Sequence, residues 1–176
     1  MLGIDKENKT VRFVILFLSL FIGWMIIYHW LINPWGQLDR MVINNSSRWS
    51  IWTLEKIGYK VFIGHHPTIR TIGIDGTSGL WIGDPCDGIT IFALFAFFII
   101  AYPGSWMKKP WYVLIGITLI HLMNVLRIVL LCIIIKDHPD WLKFNHTYLF
   151  QILMYMFVFL LWYIWINKVS KETQAQ

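Results

Sequence analysis

Residues 111–135 read WYVLIGITLIHLMNVLRIVLLCIII, an apolar run broken by a single full charge, Arg127. A helix needs roughly 20 residues to cross about 30 Å of hydrocarbon, and this run exceeds that. It therefore predicts a membrane-spanning helix. Working outward, three further apolar runs predict spans at about 11–31, 88–102 and 147–166, the second of them short. The chain as a whole is 57% hydrophobic and only 14% charged, more apolar than a small soluble core can hide. The fold class that follows is an all-α membrane protein, a bundle of about four transmembrane helices.

The net charge of +5 raises nucleic acid as a partner, but the basic residues are scattered and many flank the apolar runs. There they act as topology signals, so no nucleic-acid partner is expected. Lys6, Lys9 and Arg12 precede the first run, Lys108 and Lys109 join the second to the third, and Lys168 and Lys171 follow the fourth. All three flanks, and with them both termini, are expected on the cytoplasmic side. Residues 33–87 and 136–146 then face outward. Arg40, Arg48, Lys56, Lys60 and Arg70 in the first of these count for little, because long loops obey the charge rule poorly. The first run is too long for a signal peptide and lacks a small-residue cleavage site, so it reads as a retained signal anchor.

Within the outer segment, residues 38–63, LDRMVINNSSRWSIWTLEKIGYKVFI, predict an amphipathic helix. Leu38, Met41, Val42, Ile51, Leu54, Ile57 and Val61 are its candidate apolar face, interfacial or docked on the bundle. The stretch that follows is rich in Gly and Thr, and its piece TIRTIGI (68–74) suggests a hairpin-like cap over the bundle.

Cys86 stands two residues before the second run, near a helix N-terminus. The dipole and free N–H groups of such an end lower a thiol pKa and favour the thiolate. Gly83, Pro85 and Gly88 around it are turn and helix-start residues that let a substrate approach the backbone closely. A small buried hydrophobe is the plainer reading of the same cysteine. His121, Asn124 and Arg127 recur every third residue and form one polar stripe on the third span. Arg127 lies about 13 Å down that helix from Lys136, and a charge at that depth faces the bundle interior, either as a functional group or as a lock between helices. His146 opens the fourth span at the same end and can exchange protons near neutral pH; His138, His65 and His66 share that side. A nucleophilic thiol at Cys86, a proton carrier at His146 and a fixed cation at Arg127 together suit acyl transfer. The two cysteines, Cys86 and Cys132, are too few for a disulfide framework, though one bridge between them is compatible with the sequence. No zinc spacing and no HExxH helix is present, so no metal is expected.

These same residues carry a resemblance. CDGI at 86–89, NVLR at 124–127 and NHTY at 145–148 resemble the Cys, Arg and His motifs of the exosortase/archaeosortase family. The likeness covers about residues 83–165 and is greatest to the compact, exosortase F-like forms of Bacteroidetes. It implies one integral-membrane domain over residues 1–176, a cysteine peptidase or transpeptidase of the bacterial inner membrane with its site on the periplasmic or exterior face. Its substrates would be exported proteins with a C-terminal sorting signal, made of a short motif, a transmembrane helix and a basic tail. Cys86, Arg127 and His146 would be catalytic, Asn124 and Gly88 supporting, and no cofactor would be needed. Two other readings stand beside it: a small transporter or channel subunit with the polar stripe along its pathway, and a noncatalytic assembly partner. Transport is disfavoured because the chain shows no repeated half.

Overall fold

The computed structural model describes residues 2–64, 70–83 and 88–170, and these are nearly all helix. Helix α1 (Leu2–Ile27) continues through a π-helical turn, Tyr28–Ile32, into the short α2 (Asn33–Trp35). Gly36, in the left-handed region, redirects the chain into α3 (Gln37–Lys56). Three short strands follow, β1 (Val61–Ile63), β2 (Thr71–Ile74) and β3 (Leu80–Trp81), paired antiparallel in the order β1-β2-β3. The remaining helices are α4 (Ile89–Ala101), α5 (Lys108–Asp137), α6 (Leu142–Phe144) and α7 (Phe150–Ile164).

Proline sets two of the helix ends. A residue before proline is pushed out of the helical region by the pyrrolidine ring. Tyr102, ahead of Pro103, is extended at φ −70° and ψ 139° and closes α4. His138, ahead of Pro139, leaves the helix at φ −145° and closes α5. Pro110 is harmless in the first turn of α5, where no intrahelical donor is needed.

Three helical stretches are long and apolar enough to cross a membrane: Asn8–Trp35, Lys108–Asp137 and Pro139–Val169. They contain the first, third and fourth of the expected spans. The second, expected at 88–102, is the 13-residue α4, which reaches only about 20 Å of the roughly 30 Å of hydrocarbon. Its end near Tyr102 is fastened by Lys109, whose buried Nζ donates to Ile100 O at 2.6 Å and lies 4.4 Å from the Trp106 ring centre. Lys109 is thus a cap on the carbonyl end of α4 as well as a flanking charge.

Two apolar clusters form along α5. Toward the basic end, Phe95 and Ile99 of α4, Ile120 of α5 and Met154, Val158 and Leu161 of α7 pack with Trp165. Tyr112 Oη donates to Leu161 O at 2.6 Å across the same contact. At the cap end, Ile128, Val129, Leu131, Cys132 and Ile135 of α5 pack against Ile72, Ile74, Leu80 and Ile82 of the sheet region and Leu54 of α3. Cys132 is a free, buried thiol, which removes the bridge to Cys86 that the sequence left open.

The helix expected around 38–63 forms as α3 and docks on α5 through only part of the expected face, with Leu54 buried and Ile51 packed against the same cluster. Its buried residues are Asp39, Ile43, Ser46, Ser47, Ser50 and Leu54, while Leu38, Met41 and Ile57 are exposed. Small residues let helix backbones approach in a membrane, where apolar side chains gain nothing by leaving lipid. Ser46 Oγ donates to Val42 O at 2.9 Å, and Ser50 Oγ to Ser46 O at 2.8 Å while also reaching Val125 O of α5 at 3.5 Å. Asp39 accepts a short hydrogen bond from the buried Tyr28 hydroxyl, tying α3 to the end of the α1 stretch. The expected hairpin-like cap is the three-stranded sheet, with Ile72 of β2 opposite Ile63 on one side and Leu80 on the other.

Candidate active site under the cap sheet

Helix α4 begins at Gly88, whose φ of 86° lies in the left-handed region that glycine enters without a Cβ penalty. A methyl group at that position would stand 3.8 Å from Asn124 Nδ2. Asn124 is 1% exposed, and by helix rise it lies about 20 Å from the cap end of α5. The start of the short helix therefore sits deep, beside the buried amide of the third span.

One turn further along α5, Arg127 lines a narrow crevice of about 10 Å³ with Asn124, Ile128, Leu131 and His146, roofed by Leu80, Trp81 and Ile82. That is room for about one water molecule. Arg127 also borders an apolar groove of about 70 Å³ between α5 and α7, with Leu126, Leu130 and Leu153 on its exposed rim.

His146 reaches the crevice from a π-helical turn, Asn145–Leu149, at the head of α7. Asn145 is buried and braces the turn by donating from Nδ2 to Trp141 O at 2.8 Å. Widened turns are rare and recur at functional sites. Two more occur among the described residues, at Tyr28–Ile32 and Trp165–Ser170, so it is the convergence with Arg127 that singles this one out.

Arg127, His146, Asn124 and Gly88 are thus brought together. His121 is not part of the group: its Nε2 is 2.8 Å from Asn45 Oδ1 of α3, so it joins two helices. The stripe of three polar residues thus divides between a helix–helix contact and the crevice. His138 stays near Trp141 at the end of α5, with ring centres 6.2 Å apart. Cys86, with Asp84, Pro85 and Asp87, lies outside the described residues, as do His65 and His66. Among the described residues no three His, Cys, Asp or Glu are grouped to hold a metal.

The cap itself was expected, but not that Leu80, Trp81 and Ile82 would line the crevice. The only trace of this lining in the sequence is the apolar tripeptide Leu80-Trp81-Ile82 between Gly79 and Gly83 in an otherwise polar loop. Chemically, the crevice offers a guanidinium that stays charged when buried, an imidazole that carries protons and amide donors on Asn124, under apolar cover. Water exclusion strengthens each of these electrostatic contacts.

The chain matches the family model described as transmembrane exosortase over residues 8–167. No curated protein and no solved structure matches.

Proposed function

The chain belongs to the transmembrane exosortase family of membrane transpeptidases in protein sorting, and from that premise we propose that it cleaves C-terminal sorting signals through a thioester on Cys86. The thiolate attacks the scissile carbonyl carbon, and the oxyanion that develops is held by Arg127. The carbon–nitrogen bond breaks, the departing amine takes its proton from His146, and a thioester remains. An acceptor amine then attacks the thioester and gives a proton to His146, and the thiolate leaves. Shielding of the thioester by β3 favours an amine over water as acceptor. The reaction takes place on the periplasmic or exterior face of a bacterial inner membrane, with both termini cytoplasmic.

The observation that carries this reading is the meeting of Arg127 and His146, from two different helices, in one crevice beside Gly88 and Asn124. One residue, Asp87, separates Cys86 from Gly88, and such a stretch spans at most about 7 Å between Cα atoms, which supports a thiol within reach of that crevice. The apolar groove that shares Arg127 supports entry of the substrate's membrane segment from the bilayer.

Covalent trapping tests the chemistry. With Cys132→Ala, Cys86 is the sole cysteine, and membranes are labelled with a thiol-directed probe across pH. Labelling is expected to persist well below the ordinary thiol pKa of about 8.5. It should slow about tenfold for each unit by which the thiol pKa rises when Arg127→Ala or His146→Ala is added. Arg127→Lys should also be impaired, because a lysine lacks the planar fork. Labelling at the rate of an ordinary thiol, indifferent to both partners, would sink the mechanism.

A further inference from the structure

A further concave feature lies at the opposite, basic end of the bundle, between α1 and the end of α4. It is a cleft of about 530 Å³ lined by Lys9, Arg12, Phe13, Leu16, Ser19 and Pro103, among others. That volume is within the range of small-ligand sites. Lys9, Arg12, Leu16 and Ser19 follow one another at three- and four-residue spacing and so share one face of α1. The two cations stand at one end of this face, and the cleft continues for about 10 Å along the helix past Leu16 to Ser19.

What fills it is decided by charge and by exposure. None of the apolar window of the first span is buried in the protein, so this helix turns its sides to the bilayer and the cleft opens to lipid. Lys9 and Arg12, with Lys108 of α5 at the same end, repel a basic peptide tail and attract a phosphate. Phe13 lines the cleft and also packs edge-on against Phe98 and Tyr102, with ring centres 5.3 and 5.4 Å away. We propose that the cleft binds one anionic phospholipid of the leaflet at the basic end, its phosphate on Lys9 and Arg12 and an acyl chain along Leu16. A lipid seated there braces Phe13 and holds α1 against α4.

The test uses the purified full-length protein in mixed micelles of phosphatidylglycerol and phosphatidylcholine with matched chains, and native mass spectrometry counts the lipid retained. The wild type is expected to retain phosphatidylglycerol in preference. A cation near an anionic headgroup is worth about a fivefold change in affinity, so Lys9→Gln with Arg12→Gln should lower that retention about thirtyfold. Because these cations also set topology, a second variant keeps them: Leu16→Trp fills the cleft and should cut phosphatidylglycerol retention with the charge intact. Arg48→Gln, on α3, should leave it unchanged. Equal retention of the two lipids by the wild type, undiminished binding by Leu16→Trp, or an equal loss in Arg48→Gln would each overturn the proposal.

Discussion

Gly116 sets how closely α4 and α5 approach. A methyl group there would stand 2.2 Å from the ring of Phe95, and that ring is fully buried, so it has no free space to move into. Overpacking of this kind costs about 1–3 kcal/mol. Gly116→Ala is therefore expected to lower the thermal unfolding temperature in detergent. Gly23→Ala in α1, with nothing within 4 Å of the added methyl, should leave the temperature unchanged or slightly higher, since alanine is the better helix former by about 1 kcal/mol. Equal behaviour of the two variants would refute the close contact. The consequence reaches the site, because the α4 that Gly116 admits is the helix whose first turn places Gly88 beside Asn124. At this scale the sequence was legible wherever one residue contradicted its surroundings: Arg127 in an apolar run draws attention by itself. Gly116 does not, because nothing local distinguishes a glycine under a distant phenylalanine from any other helical glycine.

Helix α3 shows where hydrophobic periodicity misleads. In water the apolar stripe of an amphipathic helix faces the core, and on that rule Leu38, Met41 and Ile57 belong inside. They are exposed, whereas Leu54 of the same stripe is buried together with Ile43, Ser46, Ser47 and Ser50. Beside a lipid-facing bundle, backbone proximity outweighs apolar burial. Ser47→Leu should therefore destabilise the protein by about 1–3 kcal/mol by forcing α3 from α5, whereas Met41→Ser should be nearly neutral. Thermal scans of both variants in one detergent decide between the two faces; the reverse order would mean that α3 docks through its apolar stripe after all. The long spans suffered no such ambiguity, since length and hydropathy alone define them. Helix α4 was harder because Gly88 and Pro103 trim it to a length that hydropathy does not distinguish from a buried segment. The turn carrying His146 was legible as a histidine at a helix mouth, while its π-helical winding has no sequence signature of its own.

On the scale of the whole molecule, α5 is the common wall of two apolar clusters, one shared with α4 and α7 and the other with α3 and the sheet. The crevice with Arg127 and His146 lies beneath the second, roofed by β3. The cap strands have only three, four and two residues, so they contribute little on their own, and the sheet is held by what it buries. Ile72 is fully buried in that cluster and stands opposite Leu80 of β3. Ile72→Ala removes about 2–5 kcal/mol from the cap, enough to open it while leaving the other cluster folded. Hydrogen exchange in detergent should then show faster exchange across residues 61–64 and 70–82 and unchanged protection in α4 and α7. The same variant should slow the proposed thioester chemistry by admitting water to the crevice, without altering accumulation in the membrane. Uniform loss of protection through all helices would mean instead that cap and bundle unfold as one unit, and that the roof contributes to the stability of the entire fold rather than to the site alone.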